Sequence, residues 1–142
     1  MKIKILLVDD EKDFVETLAE RLELRDFEVT TALNGIDAIK IVEEQEFDVI
    51  FLDVKMPGKD GIETLKEIKK LKPLPQVIML TGNATVETAI EGMKVGAFDY
   101  IMKPVVTEDL IELIGNAYKI VEEQKERIRK AEVDNILKKR GW

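Results

Sequence analysis

Val49-Ile50-Phe51-Leu52-Asp53 is a short, unbroken apolar run that stops on a carboxylate. The pattern recurs along the chain. Ile5-Leu6-Leu7-Val8 runs into Asp9-Asp10, Val77-Ile78-Met79-Leu80 into Thr81, and Tyr100-Ile101-Met102 into Lys103. Apolar runs of this length without alternation are how parallel strands covered on both faces read. In an open parallel sheet, ligands bind beyond the carboxyl ends of the strands. Three carboxylates, a hydroxyl and an ammonium are therefore predicted to meet at one edge of one sheet. That set suits a divalent cation and a phosphoryl group.

The segments between the runs carry helical spacing, so strand and helix alternate as in a doubly wound α/β fold. Strands are predicted at about 2–8, 28–31, 48–52, 77–80 and 98–102. The second is short and alternating, as an edge strand is. The first helix is predicted over about 12–24, with Phe14, Val15, Leu18 and Leu22 on its inward face. Asn34-Gly35 signals a turn before a second helix expected to face Ile36, Ile39 and Val42 inward. A loop holding Met56-Pro57-Gly58-Lys59-Asp60-Gly61 leads to a third helix at about 62–71. The fourth, about 85–95, contains Gly92 and ends at Gly96. Glycine costs roughly 1 kcal/mol against alanine in a helix, so this helix is predicted to be the softest. Thr107 is the expected N-cap of the last helix, with Glu108 and Asp109 in its first turn.

Composition removes several kinds of chemistry. The 142 residues contain no cysteine, which excludes disulfides and thiolate metal sites, and no histidine. A Ser-His-Asp triad, histidine acid/base catalysis and His-ligated zinc are therefore ruled out. No stretch is long and apolar enough to span a membrane, and the first apolar run is too short for a secretory signal, so a cytoplasmic protein is expected. Residues 1–120 carry 15 basic and 24 acidic groups, whereas residues 121–142 carry 7 basic and 5 acidic. An acidic body argues against nucleic acid as a partner of the main domain.

Taken singly, Asp9 and Asp10 read as caps of the first helix, Asp53 as the end of a strand and Lys103 as a solvated lysine. Together they read differently. Three carboxylates at neighbouring strand ends repel one another and titrate as a set unless a cation sits among them. Magnesium prefers a few carboxylates, waters and a phosphate oxygen, which matches the supply.

Residue by residue, the pattern resembles the receiver domain of two-component response regulators. The Asp9-Asp10 pair follows the first strand, and Asp53 ends the third ahead of Met56-Pro57 and Asp60-Gly61. Thr81-Gly82 ends the fourth, and Lys103-Pro104 ends the fifth with Tyr100 three residues before the lysine. The resemblance covers residues 1–120 and leaves 121–142 as a helical extension or linker. It implies a flavodoxin-like doubly wound sheet of five parallel strands, order 2-1-3-4-5, with an extended C-terminal helix.

The resemblance also implies roles. Asp53 would accept a phosphoryl group from a sensor histidine kinase or a histidine phosphotransfer protein. Mg2+ would be held by Asp10, Asp53 and the Lys55 backbone carbonyl, with Asp9 acting partly through water. Lys103 and the Thr81 hydroxyl would meet phosphoryl oxygens, and the Lys103–Pro104 bond would be cis. Thr81 and Tyr100 would act as a switch, moving the face formed by the fourth helix, fifth strand and fifth helix. Lys55 and Asn83 would tune the lifetime of the phosphoryl group; neither is a carboxylate able to orient a water, so fast self-hydrolysis is not expected. Such a protein is a signalling phosphoacceptor rather than an enzyme.

Three alternatives use related parts. A magnesium-dependent phosphatase of the haloacid dehalogenase type would carry its nucleophile at the end of strand one with a second Asp two residues on, where Glu11 stands here. A flavodoxin-like electron carrier would need a Ser/Thr/Gly-rich loop where Asp9-Asp10-Glu11 stands. The third is a receiver-shaped interaction module acting without phosphorylation, which the sequence gives no reason to prefer, because all five site residues are present. Along the last helix and its extension, Leu110, Ile114, Ala117, Val121, Gln124, Ile128 and Ala131 follow a coiled-coil step, with Val121 and Ile128 as the diagnostic positions. A weak parallel homodimer is the expectation, though a lone solvated helix is nearly as favourable.

Overall fold

Ile5, Leu6, Leu7 and Val8 are all fully buried, and alternate residues enter two different cores. The computed structural model describes residues 2–56, 60–82 and 86–141. Within them the elements run β1 (Lys4–Val8), α1 (Lys12–Glu23), β2 (Glu28–Ala32), α2 (Gly35–Glu44) and β3 (Val49–Asp53). There follow α3 (Gly61–Leu71), β4 (Gln76–Thr81), α4 (Val86–Val95), β5 (Asp99–Met102) and α5 (Thr107–Lys139). The strands form one parallel sheet in the order β2-β1-β3-β4-β5, the predicted doubly wound topology.

The unbroken apolar runs follow from two-sided burial. Ile5, Leu7, Val49, Phe51, Ile78 and Leu80 pack with Val15, Leu18 and Leu22 of α1 and Leu110, Ile114 and Ala117 of α5. Leu6, Val8, Ile50, Leu52, Val77 and Met79 pack with Val42 of α2 and Ile62, Leu65 and Ile68 of α3. Each such side chain contributes about 1.5–3 kcal/mol on burial, so neither face tolerates a polar residue. The polar groups lie at the strand ends. At the amino end, Asp48 N–H donates to the Lys4 carbonyl at 2.8 Å, and Lys4 N–H donates to Asp48 Oδ2 at 2.9 Å. Lys125 Nζ of α5 lies 3.2 Å from Asp48 Oδ1, tying the far part of that helix to the sheet.

Side-chain capping explains the starts of α2 and α3. Asn34 Oδ1 accepts from Asp37 N–H and Asp60 Oδ1 from Glu63 N–H, both at 2.8 Å, so each caps its helix. The expected Thr107 cap is a correction: Val106 occupies the N-cap without a side-chain bond, and Thr107 is already helical. The acidic first turn of Glu108 and Asp109 supplies favourable charge there. The predicted start of the fourth helix at Thr85 lies outside the described residues, as do Pro57, Gly58 and Lys59. That helix ends at Gly96, whose φ of +119° an L side chain rarely adopts.

Helix α5 is continuous through residue 120 and beyond. Val121 is fully buried in the domain, so it belongs to the core and does not diagnose a seam between two chains. Ile128, by contrast, is 50% exposed.

Gly61, the first residue of α3, lets that helix start against the end of β3. Its N–H donates to the Val54 carbonyl at 2.8 Å. A Cβ there would overlap the Asp53 carbonyl oxygen and approach Val54 Cα within 2.6 Å, both immovable backbone. Gly61→Ala is therefore expected to destabilise the fold by about 1–3 kcal/mol through overpacking, read as a lower urea midpoint. A variant as stable as wild type would show that α3 does not depend on this approach.

Candidate functional site

The sheet places the candidate residues at the ends of its strands or one step past them. Asp9 follows β1, and its N–H donates to the Ala32 carbonyl at 3.1 Å. Asp53 is the last residue of β3, in register with Leu80. Thr81 ends β4, and its carbonyl accepts the Lys103 N–H at 2.9 Å. The Lys103–Pro104 peptide bond is cis. Asp9, Asp53 and Thr81 are buried, whereas Asp10 is exposed.

Asp9, Asp10 and Asp53 each present an oxygen within 4.8 Å of the others. Lys103 Nζ reaches into this cluster. It lies 2.5 Å from Asp9 Oδ2, 2.9 Å from Glu11 Oε1 and 4.0 Å from Asp53 Oδ2. The same ammonium sits 4.4 Å from the centroid of the Phe14 ring. Backbone donors orient the acids: Asp9 Oδ1 accepts the Glu11 N–H at 2.9 Å, and Asp53 Oδ1 accepts the Lys55 N–H at 3.3 Å.

Burial pushes the Asp53 carboxyl up to about 6, with the Asp9 charge adding to it and Lys103 and the Lys55 N–H opposing. For Lys103, burial pulls downward, but its contacts with Asp9 and Glu11 outweigh this and raise it. One ammonium does not balance the acids. Asp9 Oδ2 is fully buried and has no hydrogen-bond partner beyond its contact with that ammonium. A small divalent cation among the three carboxylates would supply the missing positive charge, so the residues present fit such an ion.

Asp9, Asp10, Asp53 and Lys103 are thus brought together, with Thr81 on the adjacent strand end. Tyr100 stands apart. It is 42% exposed on β5 and lines an apolar groove with Val86, Ala89, Ile90 and Met93 of α4. Lys55 is exposed two residues past Asp53, and Asn83 lies outside the described residues. Glu11 and Phe14 were absent from the sequence-derived site. Their signal was weak: Glu11 directly follows the acidic pair, and the spacing of Phe14 marks it equally as core.

The chain belongs to the response regulator receiver domain family, which it matches over residues 5–115. It is 41% identical over 116 residues to the transcriptional regulatory protein ZraR of Salmonella typhimurium, covering 82% of this chain and 26% of that protein. The chain spans about a quarter of the length of the curated relatives it matches. Among solved structures, a CheY-like receiver domain protein from Methanospirillum hungatei superposes with a TM-score of 0.82 at 34% identity, covering 89% of this chain and 99% of that one. A Burkholderia pseudomallei response regulator, solved with a phosphorylated aspartic acid, calcium ion and citrate, has a TM-score of 0.77 at 26% identity. That match covers 99% of this chain and 86% of the other. The family shown is neither that of the haloacid dehalogenase-type phosphatases nor that of the flavodoxin-like electron carriers. No helix of the described residues is long and apolar enough to cross a membrane.

The raised Asp53 carboxyl has a consequence for stability in metal-free buffer. A folded-state value of about 6 against an ordinary 3.8 means that the folded protein holds the proton more tightly than the unfolded chain. The associated stabilisation is complete below the ordinary value and is lost as pH rises through about 6. Asp53→Asn lacks this loss. Its stability relative to wild type, from urea melts in EDTA, is expected to grow between about pH 4 and pH 7. Parallel pH profiles would show that Asp53 is not perturbed.

Proposed function

We propose that this chain is a phosphoacceptor whose Asp53 takes a phosphoryl group from a phosphohistidine on a sensor kinase or histidine phosphotransfer protein. The observation that carries the reading is the meeting of Asp9, Asp10 and Asp53 within 4.8 Å, with Lys103 Nζ 4.0 Å from Asp53. The chain has no histidine of its own, so the donor group lies outside these 142 residues. The phosphorylated aspartic acid and calcium ion in the Burkholderia relative support the same chemistry for this fold.

In the transfer, an ionised Asp53 oxygen attacks phosphorus, the P–N bond to the donor imidazole breaks, and the imidazole keeps the electron pair. Asp53 needs no base to activate it, only cancellation of charge, because the incoming group is also anionic. Bound magnesium would supply that cancellation at the phosphoryl oxygens. Asp10, Asp53 and the Lys55 carbonyl are assigned as its ligands, with Asp9 partly through water. Lys103 pairs with one phosphoryl oxygen, and the Thr81 hydroxyl bonds to another. Thr81 and Tyr100 then bias the α4-β5-α5 face. Of the described residues of α4 only Gly92 is buried, so little packing resists its displacement. The product is a signal, not a released metabolite, and its output domain or target lies outside this domain. A cytoplasmic site of action and no contact with nucleic acid by the receiver itself complete the reading.

Labelling tests it directly. Acid-labile phosphate from acetyl phosphate or a phosphohistidine donor is expected on wild type with magnesium, and Asp53→Asn is expected to abolish it. Asp10→Ala should weaken magnesium binding strongly. Equal labelling in excess EDTA would overturn the assignment.

Signalling separates from labelling at Lys103. Lys103→Ala is expected to retain some phosphorylation while losing the amide shifts that phosphorylation induces around Tyr100 and α4. Wild-type shifts in that variant would remove Lys103 as the transducer.

Self-association through α5 is proposed to be weak. With Val121 in the core, Ile128 is the large apolar seam position beyond it, flanked by Gln124 and Ala131. Helices of about two heptads are marginal alone. Sedimentation equilibrium is expected to show association only at high protein concentration, lost in Ile128→Asp; a wild type that stays monomeric throughout removes this partner.

A further inference from the structure

Glu11 occupies the N-cap of α1, yet its side chain makes no cap hydrogen bond. Its carboxylate instead meets Lys103 Nζ at 2.9 Å, across 92 residues of sequence. Phe14, three residues on, comes to the same side of the helix start and sets its ring 4.4 Å from that ammonium. The backbone of Glu11 is itself fixed, because Asp9 Oδ1 accepts its N–H at 2.9 Å. Besides its 2.5 Å contact with Asp9 Oδ2, Lys103 thus has a second anion and a π face holding it on the α1 side, while Asp53 Oδ2 is 4.0 Å away, beyond hydrogen-bond reach.

We propose that Glu11 and Phe14 form a seat that holds the Lys103 ammonium off Asp53, and that Glu11 is a positioning residue competing with the phosphoryl oxygen for it. The inference rests on the phosphoacceptor reading above. The competition is finely set by exposure. The lysine side chain is 12% exposed and the Glu11 side chain 63%, so water screens one partner and the pair is breakable. A phosphoryl oxygen on Asp53 offers a stronger charge-assisted bond than a solvated carboxylate and draws Lys103 across. Glu11 and Phe14 also line a cleft of about 530 Å³ along α1, with Lys103 and Pro104 on its other wall. Departure of the ammonium leaves an unpaired carboxylate and a bare ring facing that cleft, so its surface changes with the state of Asp53.

Beryllofluoride, a phosphoryl mimic, measures the competition when titrated with magnesium in excess into the full chain. Glu11→Gln is expected to tighten beryllofluoride binding about two- to fivefold, the range of a partly exposed ion pair. Removing a negative charge near an anion site would tighten binding without any competition, so Lys103 must be part of the test. The same change is therefore made in the Lys103→Ala background. Competition predicts that the gain disappears there, whereas long-range repulsion leaves it intact. Phe14→Leu should give a smaller gain of the same sign. Magnesium affinity measured without beryllofluoride should not rise in Glu11→Gln, which separates the seat from a general change in the site. Equal beryllofluoride affinity of wild type and Glu11→Gln, or a gain that persists without Lys103, overturns the seat while leaving the phosphoacceptor reading standing. A wild type that binds no beryllofluoride in magnesium overturns both.

Discussion

The chemistry of this molecule depends on a constraint that has nothing to do with chemistry. Its central strands are buried on both faces, so an ionisable group can stand only where a strand ends. Acidic side chains that follow or end neighbouring parallel strands must then crowd together. Asp9 and Asp53 are such a pair, and the parallel register of β1 with β3 makes them neighbours. Asp10 joins them because it follows Asp9. The opposite edge obeys the same rule. There Asp48 is neutralised by a backbone N–H and by Lys125, so the two ends of one sheet differ in whether their acids are satisfied.

That difference sets the carboxyl end apart as the candidate site. At Asp48 each carboxylate oxygen has a donor. Around Asp53 one ammonium serves Asp9 and Glu11 closely and Asp53 only at 4.0 Å, and a fully buried oxygen of Asp9 keeps spare acceptor capacity. A cluster of this kind opposes folding on its own, because like charges in a poorly solvated site repel. Its cost makes sense where the missing positive charge arrives from outside. Gly61 belongs to the same account: it brings α3 against the backbone of Asp53 and Val54, where any side chain would push the helix away.

Much of this was legible in the sequence because burial and strand ends leave a direct trace. The runs ending at Val8, Leu52 and Leu80 could only be covered strands, and the residues after them could only be at an edge. Capping was less legible. Thr107 has the right chemistry for an N-cap, but Val106 takes the position, and the acidic first turn provides the compensating charge. The α5 pattern misled in a different way. Val121 has the same periodicity whether it faces the domain or a second chain, and only the sheet beneath it decides. The surroundings of Lys103 were invisible for a similar reason. An ion pair spanning Glu11 and Lys103 has no local pattern, and a phenylalanine at helical spacing reads as core whether or not a cation rests on its face.

The distance between the site and the opposite side of β5 is short in bonded terms. Lys103 N–H donates to the Thr81 carbonyl, Thr81 pairs with Met102, and Met79 pairs with Tyr100 on the same two strands. A shift of Thr81 or Lys103 would therefore reach β5 through its own ladder, without a chain of side chains. The element beside that strand is the least anchored helix, since α1, α2, α3 and α5 each bury several residues and α4, among those described, buries only Gly92. The exposed Val86, Ile90 and Met93 leave α4 with apolar area that the domain does not use. A rearrangement too small to disturb the two cores can thus alter this surface, because almost none of the stabilising burial is invested in it.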